Sequence, residues 1–191
     1  LQEIAQIRAH IPEDMEIESF IHGAMCISYS GRCLLSNYFT GRDANQGACT
    51  HPCRWKYAVV EEKRPGEYLP VYENERGTYI FNSKDLCMIE YIPEIVAAGI
   101  DSLKIEGRMK EPAYVANVIS KYRAALDGTV TEEDKENLNK TFNRTYTKGY
   151  LFGEDPKEIT NIKRPNNYGY EIGKITGSYK GMYEITLNKL L

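Results

Sequence analysis

The chain has 191 residues, of which 42% are hydrophobic, so it can bury one substantial core and a small second unit. Its formal net charge of -3 gives no general attraction to nucleic acid, and any RNA contact must therefore use a local basic patch. The sequence contains no apolar run long enough to span a membrane and shows no signal-peptide pattern, which predicts a cytoplasmic globular protein.

The first part of the chain is predicted to form a helix, a strand and a long loop. Helical spacing begins at Leu1 and should end near His10, because Pro12 blocks continuation. Alternation of apolar and polar residues over 15–22 predicts a strand with one polar face. Glycine, proline and arginine residues then favour a loop over 23–56, the cysteine loop, whose length indicates a functional segment.

The middle of the chain combines strand and helix signals. Three β-rich runs separated by turn sequences predict a small antiparallel meander over 57–81. Ser83 is expected to cap a short helix over 85–88, and Pro93 fits the first turn of a second helix that ends at Gly99.

The remaining elements have the order of an α/β domain. A short strand is predicted over 101–105, and an amphipathic helix should run from Pro112 to just before Gly128. Thr131 and the acidic residues after it begin another helix, at the protein surface. Alternating apolar residues around the turn at 177–181 predict the start of a separate β module.

Five cysteines carry the most specific chemical signal. They stand at positions 26, 33, 49, 53 and 87, the last on the predicted capped helix, and a reducing compartment should keep them as free thiols. Thiolates from several loops can hold zinc or an iron–sulfur cluster, although the spacing is not that of a zinc knuckle. A metal site is the first expectation from spacing, with buried inert thiols and a catalytic thiol as alternatives.

The residues around these cysteines are similar to a known family. Residues 18–36, ESFIHGAMCISYSGRCLLS, resemble the signature of the collagenase-like peptidase family U32, with its glutamate, its glycine–small pair and two cysteines seven apart. The segments GACTHPCRWKY, RPGEY, GTYIFNSKDLC and DSLKIEGRMK extend the resemblance over nearly the whole chain.

The resemblance implies a fold of α/β class, a TIM-like (β/α) barrel followed by a small β domain. Residues 1–128 would form the C-terminal portion of the barrel, with the cysteine loop and the β meander as an insertion. Residues 129–165 would be a connecting helix and linker, and 166–191 the beginning of a small β-barrel domain. A complete barrel has about eight strands and about 250 residues. We therefore expect an excerpt of a longer protein, its C-terminal half, with unpaired strand edges.

The resemblance also implies an activity, the oxygen-independent hydroxylation of the wobble uridine of tRNA to 5-hydroxyuridine. Its expected partners are tRNA, prephenate or a similar small carboxylate as hydroxyl donor, and a paired family member. The family name implies a peptidase as the alternative, which would need Cys33 or Ser30 as nucleophile near His22 or His51. A metal-stabilised binding module without catalysis is a third hypothesis.

A [4Fe–4S] cluster is the cofactor that the resemblance implies, with zinc as the alternative. In related hydroxylases four cysteines bind such a cluster, and their pattern fits Cys26, Cys33, Cys49 and Cys87. Cys53 would then lie outside the ligand set.

Four polar residues are the predicted catalytic groups: Glu18, His22, Glu106 and Arg108. They are expected at or just past the C-terminal ends of two strands, where barrel enzymes assemble their sites. The guanidinium of Arg108 could pair with a carboxylate or a phosphate through two donors. Ordinary surface salt bridges are the alternative for these residues.

Cationic and aromatic residues of the cysteine loop are the candidates for RNA contact. The cations would hold phosphates while a splayed base stacks on a ring. They are Arg32, Arg42, Arg54 and Lys56, with the rings of Tyr38, Trp55 and Tyr57. The alternative for Trp55 and Tyr57 is an anchoring role in the core.

Overall fold

A computed structural model describes residues 1–29, 32–55, 57–60, 62–70, 81–153, 158–161 and 164–188. These residues form a mixed α/β structure. In chain order the elements are α1 (Gln2–His10), β1 (Glu18–Ala24), α2 (Leu35–Thr40), β2 (Ala58–Val60), β3 (Tyr68–Pro70), β4 (Asp85–Cys87), α3 (Ile92–Ala97), β5 (Ser102–Ile105), α4 (Pro112–Leu126), α5 (Glu132–Asn139), β6 (Tyr146–Thr147), β7 (Gly173–Tyr179) and β8 (Met182–Leu187).

The central sheet has four strands in the order β5-β1-β4-β6. β1 runs parallel to β5 and antiparallel to β4, which in turn runs parallel to β6. This sheet with its helices confirms the α/β class. The antiparallel pairing of β1 with β4 differs from the all-parallel strands of a (β/α)₈ barrel.

The core lies between this sheet and the helices that follow it. α4 buries Tyr114, Val118 and Tyr122, which are four residues apart and therefore share one face of the helix. They pack in one cluster with Ile21 of β1 and with Met88, which follows β4. Full burial of one such apolar side chain contributes about 1.5–3 kcal/mol. The packing of α4 therefore fixes the position of β1, which leads into the cysteine loop.

Most predicted elements are confirmed. α1 ends at His10, and α4 begins at Pro112. The predicted cap of α5 is a full capping box, because the backbone N–H of Asp134 donates to Thr131 Oγ1 at 3.2 Å and that of Thr131 donates to the Asp134 carboxylate at 2.9 Å. The strands predicted near the C-terminus form the antiparallel hairpin β7–β8.

The prediction of a helix over 85–88 is wrong, because this segment contains strand β4, which lies inside the sheet. The backbone N–H of Asp85 donates to the carbonyl of Thr145 at 2.9 Å. Its buried carboxylate accepts hydrogen bonds from the backbone and the guanidinium of Arg144. These tertiary partners override the local capping signal. Cys87 therefore lies on a strand and not on a capped helix.

The first strand begins later than predicted over 15–22, because the backbone before it has other partners. The N–H of Ile17 donates to the carboxylate of Asp101 at 2.8 Å and not to a neighbouring strand. Glu18 is therefore the first residue of β1. The expectation that Glu18 lies near the C-terminal end of a strand is wrong.

The predicted meander is met only in part by the described residues. β2 and β3 pair antiparallel, as expected for the first two strands of the meander, whereas its third run, 78–81, lies outside the described residues except for Phe81. The division into segments 1–128, 129–165 and 166–191 stays a prediction.

None of the helices in the described ranges is both long and apolar enough to cross a membrane.

Candidate metal centre

The cysteine loop is compact because short helices and hydrogen bonds fold it back on itself. It contains α2 and two 3₁₀ turns, Ala44–Gln46 and Pro52–Arg54. The buried hydroxyl of Ser36 accepts a hydrogen bond from the backbone N–H of Thr50 at 3.1 Å. This contact holds α2 against the segment that carries the third and fourth cysteines.

Four cysteine thiols lie close enough to interact electrostatically. Burial raises the pKa of the Cys53 thiol, and the charges of Cys26, Cys49 and Cys33 raise it further, while the guanidinium of Arg54 lowers it. Cys26 follows β1 by two residues, Cys33 precedes α2 by two, Cys49 lies between the two 3₁₀ turns, and Cys53 lies in the second turn. The loop therefore brings three thiols within electrostatic range of the Cys53 thiol, and sulfur is a soft donor that suits zinc or an iron–sulfur cluster.

The fifth cysteine, Cys87, has different surroundings. Its sulfur lies 3.8 Å from the Tyr122 hydroxyl, and it packs against the hydrophobic core. Burial is the main cause that raises the pKa of its thiol. The predicted ligand set of Cys26, Cys33, Cys49 and Cys87 stays a prediction, but the position of Cys87 favours a packing role. Cys53 is the competing fourth thiol.

Arg54 joins three segments next to the four thiols. Its guanidinium donates to the carbonyl of Met25 at 3.3 Å, to the carbonyl of Ser83 at 3.0 Å and to the Asn82 side chain. Its Nε is buried and has no hydrogen-bond partner among the described residues. Arg54 was expected to hold RNA phosphates; its guanidinium is partly buried and bonded to protein acceptors, which disfavours this role, and the role stays a prediction.

The backbone of the loop adds one contact to a thiol. His51 adopts a positive φ of 54°, which is costly for a residue with a side chain. This conformation accompanies a hydrogen bond from the His51 N–H to the sulfur of Cys49 at 3.3 Å.

In the described part of the chain, no three His, Cys, Asp or Glu side chains are arranged to hold a single metal ion.

His22 lies beneath the loop in a buried aromatic environment. It is 1% exposed, and its Nδ1 lies 3.2 Å from the Tyr122 hydroxyl. That hydroxyl donates to the Ile21 carbonyl at 2.9 Å, which leaves it to accept from the imidazole, so that Nδ1 carries the proton. His22 Nε2 then has a free lone pair and no partner among the described residues. The rings of Tyr114 and Tyr146 also face the imidazole.

The burial of His22 predicts a dependence of stability on pH. Burial is the main cause that lowers its pKa from 6.5 to about 4; the charge of Asp85 opposes this, and that of Lys110 adds to it. As the pH falls below 6.5, the unfolded chain takes up a proton that the folded protein cannot. The free energy of unfolding should therefore fall between pH 6.5 and 4, by about 3 kcal/mol in total.

Urea denaturation at pH 7.5 and at pH 4.5 measures this effect. His22→Asn should show a shallower loss of stability over this range, whereas His10→Asn, at an exposed histidine, should behave as the wild type. An equal loss in His22→Asn and the wild type would contradict the assignment.

Glu106 and Arg108 lie where β5 meets the cysteine loop. The Glu106 N–H donates to the His22 carbonyl at 2.9 Å. This approach requires glycine at position 23, because a Cβ there would lie 2.5 Å from the Glu106 carbonyl oxygen. The guanidinium of Arg108 lies against Gly47 of the loop. The structure thus brings both predicted residues to the side of the cysteines.

Glu18, the fourth residue predicted as catalytic, lies apart from this region. It is exposed and forms an ion pair with Lys104 at 2.7 Å, with Ser102 3.2 Å away. Four residues of strand, about 13 Å, separate it from His22. Its partners are those of a surface salt bridge, the alternative considered for it.

Charged residues that the sequence did not single out border the site. Partial burial lowers the pKa of Lys110 to about 8, and its ammonium lies 3.2 Å from the centre of the Phe142 ring. The charges of Arg54, Arg144 and Lys110 all act on the imidazole of His51, as does that of Glu106. Lys110 is the last residue of the segment DSLKIEGRMK, which carries part of the family resemblance, and this position was the available signal.

The remaining RNA candidates are at the surface or outside the described residues. Arg32 and Arg42 are exposed, and Lys56 lies outside the described ranges. Trp55 is 42% exposed and Tyr57 37%, so neither ring of the anchoring alternative is buried in the core, and Tyr38 is 82% exposed.

Comparison with known proteins assigns the family. The model described as Peptidase family U32 matches residues 1–161. The tRNA hydroxylation protein P of Escherichia coli (strain K12) is 38% identical, over 95% of this chain and 50% of that protein. The 23S rRNA 5-hydroxycytidine C2501 synthase of the same organism is 31% identical, over 97% of this chain and 30% of that protein.

A relative with a different name also matches. The Collagenase of Porphyromonas gingivalis is 39% identical, over 76% of this chain and 36% of that protein. The chain thus spans half or less of the length of these relatives. No solved structure matches it. Because the family model covers most of the sequence, and two of these relatives are 38% and 39% identical over three quarters or more of the chain, the chain belongs to peptidase family U32.

Proposed function

We propose that the protein containing this chain is an oxygen-independent RNA hydroxylase that converts the wobble uridine of tRNA to 5-hydroxyuridine. The observation that carries the proposal is the convergence of Cys26, Cys33, Cys49 and Cys53 in one loop. The names of the two Escherichia coli relatives, both RNA hydroxylation proteins, support the same reaction class.

The residues present fit an iron–sulfur cluster. Four thiols are the usual ligand set of a [4Fe–4S] cluster. The cluster is larger than a zinc ion, which holds its thiolates at about 2.3 Å, and it therefore suits cysteines that are gathered but not arranged for one ion. The orphaned Nε–H of Arg54 beside Cys53 is a donor that a sulfur-rich anionic group would satisfy. We propose Cys53 as the fourth ligand in place of Cys87.

The chain's own residues have distinct proposed roles. When bound, the cluster would supply electron-transfer chemistry. Arg54 holds the loop in place and adds positive charge beside the thiolates. The exposed guanidinium of Arg108, next to Gly47, is suited to a small carboxylate such as prephenate, the proposed hydroxyl donor. Neutral His22 holds the end of β1 through the Tyr122 hydroxyl and the core below it.

The proposal includes completion of the sheet by further strands. The parallel pair β5–β1 and the packing of α4 against it are compatible with part of a TIM-like barrel, and the relatives are at least twice as long as the matched segment. The antiparallel β4 would then mark a local departure from regular barrel pairing.

The test is mass spectrometry of tRNA nucleosides from a strain that lacks the gene. We expect 5-hydroxyuridine and its derivatives to disappear and to return when the wild-type gene is supplied. A variant in which Cys26, Cys33 and Cys49 are all serine should be present in the cell and fail to restore them. Unchanged nucleosides in the deletion strain would contradict the proposal.

The two histidines that a peptidase would use as a base, His22 and His51, make other contacts in the structure. The His22 ring contacts Tyr122, and its low pKa results from burial and not from a paired thiol. His51 contacts Cys49 through its backbone N–H. A nucleophilic cysteine needs a histidine ring within hydrogen-bond reach. Gelatin cleavage by the metal-free protein would revive this alternative.

A further inference from the structure

An open groove of about 550 Å³ lies along the cysteine loop. Its walls combine aliphatic and aromatic side chains with one cation and one thiol. The lining includes Ile27, Arg32, Cys33, Leu35, Tyr38 and Phe81. The groove therefore reaches one of the proposed cluster ligands directly from the protein surface.

An exposed row of aromatic side chains borders this groove. We define the aromatic ridge as Tyr38, Phe39, Trp55, Tyr57 and Phe81. The ring centre of Phe39 lies 5.2 Å from that of Tyr38, 5.7 Å from that of Trp55 and 6.4 Å from that of Tyr57, which in turn lies 6.4 Å from that of Phe81. All five side chains are exposed, although aromatic rings are normally buried when they serve only for packing. A contiguous apolar surface of this kind indicates a binding site.

The positive charge of Arg32 at the groove favours a ligand that carries an anionic group. Arg32 is exposed at the groove, and no ion pair joins it to an acidic residue in the described ranges. A ligand that fits must therefore offer a planar ring for the aromatic and aliphatic walls and an anion for the guanidinium. A nucleotide of single-stranded RNA has both, whereas a base within a helix hides its faces by stacking.

We propose that the groove seats one unstacked pyrimidine of single-stranded RNA, with its ring at Tyr38, its phosphate at Arg32 and an edge of the base toward Cys33. The aromatic ridge would stack the neighbouring bases. This inference rests on the proposed RNA hydroxylation and adds the residues that select an unpaired base.

Binding of a fluorescent single-stranded oligouridine, measured by anisotropy on the full-length protein, tests the inference. Tyr38→Ala should weaken binding by about ten-fold, the scale of one lost base–aromatic stack, and Tyr38→Phe should restore it. Tyr150→Ala, at a similarly exposed tyrosine outside the groove, is the matched control. The same oligonucleotide in a duplex should bind more weakly and should not respond to Tyr38→Ala.

The salt dependence separates the role of Arg32. Arg32→Gln should reduce the slope of log affinity against log salt by about 0.7, as expected for one lost phosphate contact on a single strand. If Tyr38→Ala and Arg32→Gln bind the single strand as the wild type does, or if the wild type does not bind it, the groove inference is overturned. Loss of tRNA hydroxylation in the deletion strain would still support the proposed function in either case.

Discussion

Cys53→Ser should reduce the bound iron to a small fraction of the wild-type value and abolish tRNA hydroxylation, whereas Cys87→Ser should retain both. The charges of Cys26, Cys33 and Cys49 all act on the Cys53 thiol, and serine at position 53 removes one ligand of the proposed cluster. Because ligand binding and local folding are coupled, the cysteine loop should also become more accessible to proteases.

Cys87→Ser is the matched control, because it makes the same change to a thiol in the core. It should lower the free energy of unfolding by about 1–2 kcal/mol, since it puts a hydroxyl next to Tyr122 in an apolar environment. Anaerobic purification followed by iron and sulfide analysis compares the two variants. If Cys87→Ser loses the iron and Cys53→Ser keeps it, the ligand set first expected from the family resemblance is correct and ours is wrong.

Arg54→Met should lower the free energy of unfolding by about 3 kcal/mol and should also lower iron content. Methionine keeps much of the apolar stem but leaves the carbonyls of Met25 and Ser83 and the side chain of Asn82 without the guanidinium donor. The Met25 carbonyl keeps the Ser83 hydroxyl as a donor, whereas a buried acceptor left without any partner costs about 1–3 kcal/mol, and the losses are not additive. The segments that carry Cys26 and Cys53 would then no longer be joined.

Two other variants distinguish charge from geometry at this position. Arg54→Lys retains the charge without the planar set of donors, and its stability should therefore lie between those of the wild type and Arg54→Met. Arg42→Gln removes an exposed arginine of the same loop and should change stability by less than about 0.5 kcal/mol. If Arg54→Met is as stable and as rich in iron as Arg42→Gln, Arg54 does not hold the loop.

Local sequence signals were sufficient for elements that local interactions stabilise. Pro112 and the helical spacing of apolar residues after it predicted α4, and Thr131 with the acidic residues after it predicted the start of α5, because both signals act within a turn or two of helix. They failed at 85–88, where an equally good local signal for a helix was present. There the strands on either side and the buried guanidinium of Arg144 decided the structure.

The same division holds for the site. The sequence alone determined the family, the number of thiols and the presence of a long loop, because a signature of glycines and cysteines is visible in one dimension. Only the tertiary structure decided that the other loop thiols act on Cys53 while Cys87 packs against Tyr122, and that the guanidinium of Arg54 is partly buried and bonded to protein carbonyls. These outcomes depend on which distant segments meet when the loop folds against the core, and residue spacing carries no such information.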